Sequence, residues 1–272
     1  MVLSLRFKSP SPVPLEVEGL TPTHLRSKSL AEIERCTIFR GNRKVPLGEY
    51  FRAAGDPSDN IVHWEGDLAG VHWIGAKMTE GEIRVIGNAG RHLGSEMQGG
   101  RITVEGDAGD WVGGELKGGL IHVHGRAGHL IGAAYRGSPI GMSGGTILVN
   151  GDVGNEIAHT MRRGMLAVGG NTGDLIGFNM LAGSVLIFGE TGIRHGAGMH
   201  RGTLAFFGPT APSILPTFRH ACRYRPEFLR LTFTHLRQLG FPIPDDLAEM
   251  EVDLYHGDLI EGGRGEMLLR AT

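Results

Sequence analysis

Residues Gly94–Gly119 read GSEMQGGRITVEGDAGDWVGGELKGG. Met97, two glycines and Ile102-x-Val104-x-Gly106 return 19 residues later as Leu116, two glycines and Ile121-x-Val123-x-Gly125. Glycine at this density is usual in flexible linkers. A linker has no use for Ile102, Val104 and Val112 at fixed spacing, so these glycines need a structural reason.

The pattern extends in both directions. The first strand position runs Val62, Ile83, Ile102, Ile121, Ile147, Leu166, Val185 and Leu204, in steps of 21, 19, 19, 26, 19, 19 and 19 residues. Two residues later stand Trp64, Val85, Val104, Val123, Val149, Val168, Ile187 and Phe206. Three glycine columns follow. The third holds Gly75, Gly94, Gly113, Gly132, Gly177 and Gly196, and Ala158 breaks it. A large apolar column closes each unit: Met78, Met97, Leu116, Met142, Met161, Met180 and Met199. The phases place one seven-residue insertion between Gly132 and Met142.

Each unit starts with a short strand whose alternate residues share a face. The glycines allow tight or left-handed turns without a Cβ clash, and the Met column supplies an adaptable interior ladder. A unit of 19 residues is shorter than the ~30 residues of a strand–helix–strand crossover. The glycine spacing has no six-residue sub-period, and no calcium-binding nonapeptide recurs. The pattern predicts a mainly β chain: a right-handed parallel β-helix of about seven 19-residue coils over residues 61–208. Coils would rise ~4.8 Å each.

Residues 1–60 do not repeat and are expected to form an N-terminal α/β cap. Strands are read near Leu3–Phe7 and Pro14–Val17, a short helix near Leu30–Arg35 and a hairpin across Cys36–Phe51. Residues 209–272 are expected to be a C-terminal helical extension and tail. Pro226 and Gly240 suit the first turn and the cap of one helix. Leu148, Leu186, Phe188 and Phe207 are apolar at nominally outward positions, so a cover for the late coils is expected, either that helix or a neighbouring protein.

Composition narrows the function. The chain is 40% hydrophobic with a formal charge of −2, which argues for a folded core and against a nucleic-acid partner. Cys36 and Cys222 are the only cysteines, too few for a four-cysteine metal or iron–sulfur site and in keeping with a reducing cytoplasm. The N-terminus lacks the apolar run of a signal peptide, and no apolar run long enough for a membrane span occurs.

The repeated Ile-x-Val-x-Gly-x-x-Gly-x-x-x-Gly-x-x-Met-x-x-Gly resembles the C subunit of formylmethanofuran dehydrogenases. The glycine rhythm also occurs in the C-terminal β-helix of large glutamate synthase subunits. Three details favour the former: the interrupted coil YRGSPIGMSGGT (Tyr135–Thr146), the echo of MRRG (Met161–Gly164) in MHRG (Met199–Gly202), and the tail YHGDLIEGGRGEMLL (Tyr255–Leu269). GNRKVPLGEYF (Gly41–Phe51) also fits. The resemblance covers almost the whole chain. It implies a scaffold subunit, with companion subunits of A, B and D type, in one of two assemblies. One is a bacterial formyltransferase/hydrolase complex moving a formyl group from a tetrahydromethanopterin-type carrier to a methanofuran-like coenzyme and hydrolysing it to formate. The other is a molybdenum- or tungsten-dependent dehydrogenase. The family implies that zinc, or molybdenum/tungsten with iron–sulfur clusters, sits in other subunits. The 22 arginines against 5 lysines suggest a GC-rich genome and tip the reading toward the bacterial complex.

Candidate sites are few, and no catalytic residue is assigned. His122-Val-His124 puts two imidazoles on one strand face, a spacing that can hold zinc; Glu105 could join them, and solvated or interface histidines are the plainer reading. Asp107, Asp152 and Glu190 follow the strand glycines in a column shared with Asn88, Arg126 and Asn171, which reads as turn chemistry rather than as a carboxylate pair. There is no nucleophile elbow and no Gly-Lys-Ser/Thr phosphate loop. Lys117, Arg162, Arg163, His200 and Arg201 follow the Met column, with Arg136 in the insertion. Together they predict a basic strip for an anionic coenzyme tail, of the glutamyl kind the family implies, or for a partner. The insertion Ala133–Ile140 is expected to touch another subunit. A function of another class, an autonomous polysaccharide-active β-helix enzyme, would call for a groove of acids and aromatics that the sequence does not display.

Overall fold

The computed structural model describes residues 2–271, the side chains of 246 and 248 excepted. Eight strands form the centre of a 13-stranded sheet: Ile61–Glu65, Glu82–Ile86, Arg101–Val104, Leu120–Val123, Ser143–Val149, Arg163–Val168, Ser184–Ile187 and Arg201–Phe206. Every neighbouring pair among them runs parallel, with the apolar columns in register, as in Ile102–Ile121–Ile147 and Val104–Val123–Val149. The chain is mainly β, with few helices and a large parallel-rich sheet, a β-helix-like arrangement.

The Met column forms a single interior line. Backbone N–H groups of Gln98, Lys117, Ser143, Arg162, Leu181 and His200 donate to the carbonyls of Met78, Met97, Leu116, Met142, Met161 and Met180 at 2.7–2.8 Å. The side chains of all seven members are fully buried. The third glycine column has left-handed backbone, φ 60–69°. At Gly94 and Gly113 an added Cβ would also meet an isoleucine Cδ1 at 2.5 Å, so glycine here serves both the turn and the packed lumen. Ala158 keeps the same left-handed backbone, at φ 58°.

The corners are tied by side-chain acceptors. Asn88, Asp107, Asp152 and Asn171 each accept the N–H of the equivalent corner in the next coil, at 2.6–2.9 Å. Asp110, His129, Asn155 and Asp174 do the same three residues further on, at 2.9 Å. The column containing Asp107 and Asp152 is therefore the turn chemistry expected of it. A corner residue with a short acceptor satisfies a backbone donor that would otherwise have none. Within the insertion, Met142 N–H returns to the carbonyl of Gly132 at 2.8 Å, which restores the phase.

Both flanking segments join the same sheet. Leu3–Phe7 adds a parallel strand to Ile61–Glu65, and Phe51–Ala54 closes that edge antiparallel. Leu15–Glu16, the hairpin Thr37–Arg40/Arg43–Pro46 and Val71–His72 make a second sheet of four strands. The helix Leu30–Glu34 starts in a capping box between Ser29 and Glu32, a motif that satisfies two free donors. At the other end the tail departs from expectation. Arg264–Arg270 continues the parallel stack beyond Arg201–Phe206, while Val252–Gly257 and Arg219–Tyr224 follow antiparallel.

The helix Phe228–Gln238 lies where Pro226 and Gly240 predict it. It covers the apolar outer face: Leu229, Phe233 and Leu236, with Phe241, bury Leu148, Leu186 and Phe207 in a second apolar cluster. Phe188 packs at its edge, with ring centres 5.2 Å from Phe207 and 5.7 Å from Phe241. Each such side chain fully buried contributes about 1.5–3 kcal/mol. Among the described residues no helix is long and apolar enough to cross a membrane.

Candidate functional site

The wound sheet leaves three outward features with chemistry. The first is the basic strip. The backbone ladder puts Lys117, Arg162 and His200 in one column, with Ser143 and Leu181 between them. Lys117 is drawn to Glu96 at 3.6 Å and His200 to Glu261 at 3.4 Å. Arg162, Arg163 and Arg201 are exposed and pair with no carboxylate among the described residues. Arg136, in the insertion, lines a cavity of about 330 Å3 with Trp111, Leu130, Tyr135, Glu156 and His159. Arg264 stands beside the strip as a further arginine. It pairs in register with Arg201, as Gly265 does with Gly202. The signal was present in the sequence, since Arg264-Gly265 repeats Arg201-Gly202 and Arg163-Gly164.

The second feature is His122-Val-His124. The two rings share one side of the sheet, 4.5 Å apart and edge to face. His122 is buried rather than solvated, and its Nε2 meets Asn150 Oδ1 at 2.9 Å. Burial lowers its pKa, with the Asn150 contact opposing. Glu105 is held by Arg84. Among the described residues no group of three or more His, Cys, Asp or Glu converges as a metal site. His122 packs beneath the C-terminal segment, its ring 6.5 Å from that of Phe241, while His124 is exposed.

Sequence reasoning missed the third feature, an aromatic stack. Trp73, His92 and Trp111 recur at 19-residue steps, all with left-handed backbone. The Trp73 and His92 rings stack 4.1 Å apart. Tyr135 reaches in from the insertion, stacks on Trp111 at 4.7 Å, donates to Ser95 Oγ at 2.7 Å and meets His92 Nδ1 at 3.0 Å. Gly114 makes room: a Cβ there would lie 3.0 Å from the Tyr135 hydroxyl. Burial pushes His92 down to about 4 and Tyr135 up to about 12, so both are neutral at pH 7. Ser95 is fully buried, which makes the cluster a fastening for the inserted loop. The 19-residue step of Trp73, His92 and Trp111 was visible, but Tyr135 lies outside the phase.

Comparisons with known proteins place this architecture. The GXGXG motif family matches residues 70–213. The C subunit of the molybdenum-containing formylmethanofuran dehydrogenase 1 of Methanothermobacter thermautotrophicus is 37% identical over 87 residues, 32% of this chain and 22% of that one. The C subunit of the formyltransferase/hydrolase complex Fhc of Methylorubrum extorquens is 34% identical over 90 residues, 33% of this chain and 34% of that one. These aligned stretches thus span about a fifth to a third of the relatives' own length. A chain in the crystal structure of the FhcABCD formyltransferase/hydrolase complex of M. extorquens with methylofuran matches far more completely. It superimposes with a TM-score of 0.89 at 30% identity, covering 99% of this chain and 100% of that one.

Proposed function

We propose a function from one premise: the chain belongs to the GXGXG motif family and, within it, to the C subunits of formylmethanofuran dehydrogenases and formyltransferase/hydrolase complexes. The chain is a non-catalytic scaffold subunit of a cytoplasmic formyltransferase/hydrolase complex. That complex transfers a formyl group from a tetrahydromethanopterin-type carrier to a methanofuran-like coenzyme and hydrolyses it to formate. The observation that carries this reading is the end-to-end match to a chain of FhcABCD. The scaffold role is supported by the use of outward polar residues for structure: corner acids and amides hold backbone, and Glu105 and Asp253 hold arginines.

The finer architecture belongs to this reading. The in-register pairings support a right-handed β-helix of about seven 19-residue coils, bounded by an N-terminal cap (1–60) and a C-terminal helical extension (209–272). One continuous apolar core from Leu3 to Leu269 supports treating these three stretches as parts of one folded unit. The strip of Lys117, Arg162, Arg163, His200 and Arg201, with Arg136 in the nearby insertion, is where this protein meets an anionic group, a coenzyme tail or a partner. Arg136, with the insertion, meets another subunit.

The C subunit of a molybdenum- or tungsten-containing dehydrogenase is a second reading, supported by identities of 33% to 39% to such subunits. Purifying the tagged chain with its native companions and measuring metals separates the two. Zinc in a co-purifying hydrolase without molybdenum, tungsten or iron–sulfur supports the formyltransferase/hydrolase complex. Molybdenum or tungsten with iron–sulfur selects the dehydrogenase. A chain that purifies alone and turns over formyl groups refutes both.

A further inference from the structure

The strongest feature outside the fold's own needs is a patch where the basic strip runs into the tail. Arg201 and Arg264 sit opposite one another on paired strands, ~4.8 Å apart at the backbone, and Arg163 stands two strands away, ~10 Å. With Arg162 they make four exposed guanidinium groups, none paired with a carboxylate among the described residues. Arg84, Arg126 and Arg223 are matched with Glu105, Asp107 and Asp253, whereas other exposed arginines such as Arg43 and Arg52 are unmatched among the described residues but dispersed; the patch is distinguished by gathering four together.

A second observation adjoins the first. The turn between Asp258 and Arg264 is fixed by Gly263 N–H to the Asp258 carbonyl at 2.8 Å and by Asp258 Oδ2 accepting Gly198 N–H at 3.1 Å. Its tip carries Leu259 and Ile260, 48% and 77% exposed. Two large aliphatics on a fixed turn, next to a row of unpaired arginines, have the composition of a protein interface centre and rim.

We infer that this patch is the docking surface for a neighbouring protein of the complex, one that presents a row of carboxylates to the arginines beside an apolar pocket for Ile260. The inference rests on the scaffold reading and names one of its faces. The charge pattern requires an anionic occupant. Exposed ion pairs contribute only about 0.2–1 kcal/mol each in water, so a mobile anionic chain on this open surface is weakly held. A protein partner excludes water, adds apolar contact through Ile260 and makes the same guanidinium groups count for more.

The test uses the full chain co-expressed with its A-, B- and D-type companions. Arg201→Glu with Arg264→Glu, and separately Ile260→Asp, are expected to leave the thermal unfolding of the purified chain unchanged while weakening its retention in the complex about tenfold or more at ~0.15 M salt. Arg43→Glu, on the remote hairpin, is expected to leave retention intact. Wild-type retention should fall as salt rises, and this dependence should flatten in the double variant. If both variants assemble normally, the inference is wrong. If they assemble normally but the complex loses its coenzyme, the strip holds a coenzyme tail and the inference is again wrong. If the wild-type chain fails to associate with these companions at all, the scaffold reading itself has failed.

Discussion

Gly113 and Gly132 occupy the same column in consecutive coils, at φ 60° and 68°, and they separate two costs that a repeat normally confounds. Alanine at either site must adopt a left-handed backbone, which costs about 1–2 kcal/mol. It also restricts the unfolded chain, which returns about 0.4–1 kcal/mol. At Gly132 the nearest atoms to a new Cβ are Ile147 Cδ1 at 3.5 Å and Leu166 Cδ1 at 3.6 Å, ordinary contacts, so Gly132→Ala should destabilise by only about 0.5–1 kcal/mol. At Gly113 the Cβ would lie 2.5 Å from Ile147 Cδ1 and 3.3 Å from Ile121 Cδ1. Overpacking a filled core adds about 1–3 kcal/mol, so Gly113→Ala should cost about 1.5–4 kcal/mol. Urea unfolding followed by circular dichroism measures both, and because the sites are in adjacent coils they report on the same cooperative neighbourhood. Equal losses, or a larger loss at Gly132, would refute the view that these glycines are set by lumen packing as well as by backbone handedness.

Other consequences are equally open to measurement. Phe233→Ala should cost about 3–5 kcal/mol and free the C-terminal helix, seen as faster tryptic cleavage at Arg230 and Arg237; unchanged cleavage would mean the helix is held by something other than the Leu186–Phe207 face. Asn155→Ala strips the acceptor from Asp174 N–H and should cost about 1 kcal/mol, whereas Asn155→Asp keeps it; equal losses in urea unfolding would count against the acceptor ladder. His195 is buried, accepts Ile176 N–H at Nδ1 and donates from Nε2 to the Gly192 carbonyl at 3.0 Å, and burial pushes it down to about 4. The unfolded chain therefore binds the proton first. Stability should be full above pH ~6.5 and fall as pH drops toward about 4, by up to about 1.4 kcal/mol per pH unit for this group. His92, also near 4, adds in the same direction. A urea midpoint for His195→Gln with the same pH dependence as wild type would remove His195 from the account.

The repeat was legible because a parallel in-register stack puts each column in one environment. Ile83, Ile102 and Ile121 meet the same neighbours, and Met97, Met142 and Met180 share the same line, so the spacing of residue types is already the spacing of contacts. The C-terminal cover was legible for a related reason: Leu148, Leu186 and Phe207 are apolar where earlier coils are polar. Leu3–Phe7 and Arg264–Arg270 were harder. Each joins the sheet as a single strand without the glycine corners that mark a coil, and only the echo of Arg201-Gly202 in Arg264-Gly265 hinted at the register. Tyr135 could not be placed at all, since an inserted loop has no phase and its seat depends on Gly114, Ser95 and His92 together. The left-handed backbone of Trp73, His92 and Trp111 was likewise unreadable, because local preference runs against it and only the winding imposes it.

A strand that runs the opposite way interrupts the sheet at each end: Phe51–Ala54 forms one edge, and Val252–Gly257 stands between Arg264–Arg270 and the outermost strand Arg219–Tyr224. A pile of near-identical layers carries no instruction about when to stop, and a last layer that keeps the repeat is a template for the next molecule's first. The reversed strands supply that instruction: they make the object finite, fix how many layers a neighbour can measure against, and keep a self-similar architecture from growing into a fibre.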